Sequence, residues 1–124
     1  MPFDDRVARL IPELRAWQEH LHRNPELSFE EFETTDYLAR ILSAMPGVSL
    51  ARPTKTGLVA SIQGEKDGPG TVLGVRGDID ALPITEESGL PYASARPGVM
   101  HACGHDGHTA MLLGLAKLLS ENRA

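Results

Sequence analysis

Residues 100–110 read Met-His-Ala-Cys-Gly-His-Asp-Gly-His-Thr-Ala and contain the only cysteine of the chain. Thiolate, imidazole and carboxylate are the side chains that bind zinc-like ions. Cys103 and His105 are two positions apart and would diverge on a helix, so they are predicted to act from a loop or extended segment. Gly104 between them makes that conformation cheap. His105 and His108 are three apart and would share one face at a helix start. Asp106 is placed either to cap that helix or to hydrogen-bond a ligating imidazole. The helix amino terminus also favours a nearby anion, such as a substrate carboxylate. A metal site normally needs at least three protein ligands. Cys103 and His105 supply two, which leaves His108 or upstream aspartates to add more. Two other readings compete: Cys103 as a small apolar filler, or as a nucleophile with His105 or His108 as its base.

Asp78 and Asp80 follow the apolar run from Thr71 to Val75. If a strand continues through them, both point to one side. They then lie beyond its carboxyl end, where ligands bind in open α/β sheets. They could bind a metal or orient a ligating histidine; the bland alternative is a solvated turn.

The elements that must position these groups can be read from periodicity. Val7 to His22 is predicted helical, with Val7, Leu10, Ile11, Leu14, Trp17 and Leu21 recurring at spacings of three and four. Asn24-Pro25 ends it. A second helix is expected from about Glu30 to Ala44, started by a capping box of Ser28 and Glu31. Its stripe is Phe32, Tyr37, Leu38, Ile41, Leu42 and Met45, and Pro46-Gly47 stops it. Val48–Leu50 and Leu58–Gln63 read as strands, and Thr71–Val75 as a central strand buried on both faces. Residues 77–104 read as a long loop of the kind that carries function. A last helix is expected from about Asp106 to Asn122, with Met111, Leu112, Leu115, Leu118 and Leu119 on its apolar face and Gly114 allowing close packing. The order α-α-β-β-loop-α is an α/β pattern.

The bulk properties narrow the function. With 124 residues and a net charge of −5, the chain has a small core and no basic surface for nucleic acid. No apolar stretch approaches the ~20 residues that span a bilayer. The start lacks the pattern of a signal peptide, so a cytoplasmic location is expected. One cysteine forms no internal disulfide.

Three segments, in order, resemble the M20 metallopeptidase family, and within it the amidohydrolase branch of hippurate hydrolases and N-acyl-amino-acid deacylases. They are Leu21–Ser28 (Leu-His-Arg-Asn-Pro-Glu-Leu-Ser), Arg76–Ile84 (Arg-Gly-Asp-Ile-Asp-Ala-Leu-Pro-Ile) and Gly98–Ala110. The resemblance implies a three-layer αβα zinc-peptidase-like catalytic domain, of which residues 1–124 are an incomplete amino-terminal portion. It implies two divalent ions (zinc, manganese or nickel), with Cys103 and His105 as ligands and Asp80 in a catalytic supporting role. Asp78, Asp106 and His108 are expected around them. The implied reaction is hydrolysis of N-acyl amino acids, small-molecule substrates, by a metal-activated water. No nucleic-acid or membrane partner is expected, and the complete enzyme would be a homodimer.

Family members run to roughly three times this length. The glutamate pair that supplies the general base, two later histidine ligands and the lid and dimerisation domain are not matched here. Glu30, Glu31, Glu86 and Glu87 do not stand in the right context for that base, and Glu86-Glu87 reads as a solvated loop pair. These 124 residues alone are therefore expected to be inactive. The competing expectation is a non-catalytic piece that binds metal weakly and self-associates through an exposed sheet edge.

Overall fold

A computed structural model describes residues 2–124, and side chains from residue 5 onward. Helix α1 spans Pro2–Arg23, and α2 spans Phe32–Ser43. Strands β1 (Val48–Ala51) and β2 (Val59–Ile62) follow, and α3 runs His105–Glu121. This is the order read from periodicity.

The mixed α/β core forms where three apolar faces meet. Trp17 and Leu21 of α1, Leu38 and Leu42 of α2, Met45, and Ala110, Leu113 and Ala116 of α3 are buried together. The helical spacing of these residues makes each face a continuous stripe. At Gly114, a β-carbon would lie 2.6 Å from Leu14 Cδ2, so the missing side chain is what lets α1 approach α3. The apolar faces are narrower than periodicity suggested. Ile11, Phe32, Met111 and Leu119 are exposed.

β1 and β2 pair antiparallel with Val48 opposite Ile62 and Leu50 opposite Ala60. Those four residues pack against the helical core, while Ser49, Ala51, Val59 and Ser61 face outward. This is the period-two alternation of a sheet with one covered face.

Two expectations fail for physical reasons. Thr71–Val75 forms no strand, and Val72 and Leu73 are 91% and 86% exposed. A central strand needs neighbours on both edges, and no described segment of this chain pairs with it. The Ser28–Glu31 capping box is also absent. The Ser28 hydroxyl donates instead to Asp80 Oδ2 at 2.5 Å, and Glu31 Oε1 turns back to accept the Phe29 amide. The orphan amides at the start of α2 are met by the buried Glu26 carboxylate, which accepts Thr34 N–H (2.5 Å) and Glu33 N–H (3.2 Å). A carboxylate there is also favoured by the helix dipole. No described helix is long and apolar enough to cross a membrane.

Candidate metal centre

Residues 77–104 wrap across the ends of all three helices. Short backbone links pin this long loop: Ala81 N–H donates to Glu26 O, Ala95 N–H donates to Arg23 O, and Leu82 and Met100 exchange both amide bonds. The last three residues before α3 then turn sharply. Gly104 adopts φ 101°, a left-handed conformation that side chains resist, and α3 begins at the next residue without a side-chain cap. His105 and His108 emerge from this first turn, on the face predicted from their spacing.

The two aspartates meet the two histidines in crossed order. Asp80 Oδ1 lies 2.9 Å from His105 Nδ1, and Asp78 Oδ1 lies 2.9 Å from His108 Nδ1. The imidazole rings are 5.6 Å apart between centroids and tilted by 29°. Asp78 Oδ2 also approaches His105 Nε2 at 3.4 Å. The Thr109 hydroxyl lies 2.9 Å from Asp78 O and 2.8 Å from His105 O and shares its one proton between them, which fastens the loop to the helix between the two pairs.

The pairs fix charge and tautomer. The bond to His108 holds the Asp78 carboxyl below its ordinary range. The Ser28 hydroxyl, then His105, do the same for Asp80. Both aspartates are therefore anionic across the neutral range. An anionic acceptor at Nδ1 favours the tautomer that leaves the lone pair on Nε2.

Asp78, His105 and His108 each offer a donor atom within 4.8 Å of the others. One carboxylate and two imidazoles are the N/O set that suits divalent ions of intermediate hardness. The residues present fit such an ion. The structure thus brings together His105, His108, Asp78 and Asp80 from the predicted group. Cys103 is exposed and lies outside this three-donor set. Asp106 neither caps α3 nor hydrogen-bonds the His105 or His108 ring: it is buried and bonded to Gln18 Nε2 (2.6 Å) and His22 Nδ1 (2.8 Å).

The largest departure concerns Glu86. Its side chain is 3% exposed, not solvated, and lies 3.0 Å from His22 Nε2. Glu87 is exposed as expected. Sequence reasoning misses His22 and Gln18 and gives Ser28 only a capping role, although His22 and Ser28 sit in the first resembling segment. Their partners lie 52 to 88 positions away, beyond any local pattern. His101 is buried beside His22, and both its ring nitrogens lack a hydrogen-bond partner.

Comparison with known proteins agrees with the motif reading. Residues 74–124 match the model of peptidase family M20/M25/M40. The chain is 49% identical to an N-acyl-L-amino acid amidohydrolase of Geobacillus stearothermophilus, covering 96% of this chain and 33% of that protein. It is 54% identical to an N-acetyl-L-cysteine deacetylase of Bacillus subtilis, covering 94% and 28%. A Bacillus subtilis crystal structure described as a dinuclear metal-binding peptidase superposes with a TM-score of 0.84 at 47% identity, covering 91% of this chain and 32% of that one. The chain therefore spans about a third of the length of the relatives it matches, and over that span it is similar to M20 peptidases.

Proposed function

We propose that these residues supply part of the active site of a divalent-metal-dependent amidohydrolase acting on N-acyl amino acids. In this reading they form the amino-terminal portion of the catalytic domain. The lid and dimerisation domain, the general base and the remaining ligands belong to other parts of a longer protein, which works as a homodimer with two ions per site. The carrying observation is the crossed pair of Asp–His contacts, which brings three donor atoms within 4.8 Å of one another.

His105 is common to the motif reading and the structural cluster, and we assign it as a ligand. Asp78 and His108 complete the donor set on one side, and Cys103, two residues before His105, is the candidate on the other. A bound ion of this kind supplies Lewis acidity toward an amide carbonyl. Asp80 holds the His105 ring in register through Nδ1, and Ser28 holds Asp80. Names of the relatives support the substrate class: one is an N-acyl-L-amino acid amidohydrolase and another an N-acetyl-L-cysteine deacetylase.

Calorimetric titration with Mn²⁺, Zn²⁺ and Ni²⁺ tests the site. His105→Ala should abolish binding, and Cys103→Ser and His108→Ala should each weaken it. Unchanged affinity in His105→Ala would overturn the assignment. Release of amino acid from hippurate or N-acetyl amino acids should be undetectable for the 124-residue chain. Robust hydrolysis by it would contradict a partial site.

A further inference from the structure

His22 stands at the end of α1 with a carboxylate on each ring nitrogen. Nδ1 is 2.8 Å from Asp106 Oδ2, and Nε2 is 3.0 Å from Glu86 Oε1. The three side chains are 8%, 5% and 3% exposed, so both bonds are largely shielded from water. A neutral imidazole has one N–H and would turn a lone pair toward one of the two carboxylates. Only the doubly protonated ring donates at both ends. Each carboxylate also accepts a second partner: Asp106 Oδ2 from Gln18 Nε2, Glu86 Oε1 from the Ser94 amide (2.9 Å) and Glu86 Oε2 from the Ser88 hydroxyl.

The position of this cluster gives it a role. Glu86 belongs to the loop that carries Asp78 and Asp80. Asp106 is flanked in α3 by His105 and belongs to the turn that carries His108. We infer that His22 is a standing imidazolium that clamps the loop to the first turn of α3 and so sets the spacing of the Asp78–His108 and Asp80–His105 pairs. It is a positioning residue, since it touches none of the donors. Taking His22 as the shared cation, a cluster with two acids and one base keeps one net negative charge beside the metal donors. Removing that cation would leave two buried carboxylates without their partner, a costly arrangement that loop and helix relieve by separating.

The surroundings are consistent with one buried cation and no more. Burial opposes charging His22, but the bonds from Asp106 and Glu86 outweigh it and raise its pKa. His101, with its ring centroid 6.4 Å from that of His22, is pushed the other way, by burial first, with the charge of His22 adding to it. Tyr92 presents an edge contact at 5.4 Å and carries no charge.

The inference rests on the proposed site, so its test uses metal-free protein first. In long-range ¹H–¹⁵N spectra of ¹⁵N-histidine-labelled chain at pH 7.5, His22 should show two protonated ring nitrogens. Glu86→Gln keeps the shape and removes one anion. It should shift the ring ¹⁵N signals of His105 and His108, although neither residue touches Glu86, and it should weaken Mn²⁺ binding three- to tenfold. A neutral His22 in the wild-type chain overturns the inference, whatever the variant does. So does a Glu86→Gln protein whose His105 and His108 signals stay in place. Should wild type show the imidazolium and the coupled shifts yet bind no Mn²⁺, the clamp stands and the metal assignment falls.

Discussion

Replacing Asp80 with asparagine tests the link between ring orientation and metal affinity. In the wild type, Asp80 Oδ1 accepts from His105 Nδ1 at 2.9 Å, and Oδ2 accepts from Ser28 at 2.5 Å. The side-chain amide of the Asp80→Asn variant retains one acceptor oxygen, so it meets one of these partners and turns an NH₂ toward the other. If the NH₂ faces His105, Nδ1 must become the acceptor and Nε2 carries the proton, which removes the lone pair offered to the metal. Loss of such a supporting carboxylate typically weakens metal binding by ~10- to 100-fold. Here the backbone carbonyl of Asp80 lies 3.0 Å from the same Nδ1 and remains as a substitute acceptor. That fallback places the expected loss near the lower bound, about tenfold in Kd or ~1.4 kcal/mol. Calorimetry with Mn²⁺ at fixed pH, with His105→Ala as the reference for a lost ligand, reads the effect directly. An Asp80→Asn Kd equal to wild type would refute the orienting role, and a loss as complete as in His105→Ala would make Asp80 a ligand instead.

Other perturbations follow from the same contacts. Glu26→Ala leaves the Thr34 and Glu33 amides of α2 without their acceptor and should cost about 1–2 kcal/mol in urea unfolding; a midpoint unchanged from wild type would show that another group caps α2. The stability difference between wild type and His22→Gln should be largest below pH 6.5. Because the folded pKa of His22 is raised from 6.5, its contribution is complete below that value and is lost as pH climbs through the folded value. A difference that grows with pH across that window would reverse the sign and exclude the cation. Leu73→Lys should suppress concentration-dependent association of the chain in sedimentation velocity, because the neighbouring Val72 and Leu73 are both left open to solvent. Equal sedimentation of variant and wild type across concentrations would remove this surface from consideration.

The parts of the fold readable in advance were those governed by neighbours in sequence. The repeats of Leu10, Leu14, Trp17 and Leu21, or of Leu38 and Leu42, carry the helical period whatever lies opposite. Likewise, the spacing of His105 and His108 places both on one face, and the Asp-x-Asp spacing sets two carboxylates to receive them. What escaped depends on distant partners. Thr71–Val75 has every local property of a strand, yet strand geometry is stable only against a second strand. Ser28 and Glu31 have the spacing of a capping box, but Asp80 competes for the hydroxyl from 52 positions away. Glu86 looks like a solvated acid until His22, from 64 positions away, supplies a buried cation. Polar burial is a property of the pair, so one member seen alone does not announce it.

The contacts of the candidate metal centre also imply an order of assembly. Asp80 and His105 are 25 positions apart, and Asp78 and His108 are 30 apart. His22 and Asp106 are separated by 84. Closing the longer loop costs roughly 0.9 kcal/mol more than closing one of 30, from the logarithmic dependence of chain entropy on length. The donors can thus meet within a short stretch of chain, and the buried brace joins once α1 has docked. Interactions that form late chiefly govern the unfolding rate. Loss of the His22 brace should therefore steepen decay of the folded site, seen on the unfolding limb of a chevron plot, while leaving the folding limb nearly unmoved. The centre is quick to gather from nearby residues, and its lifetime is set by a residue far along the chain.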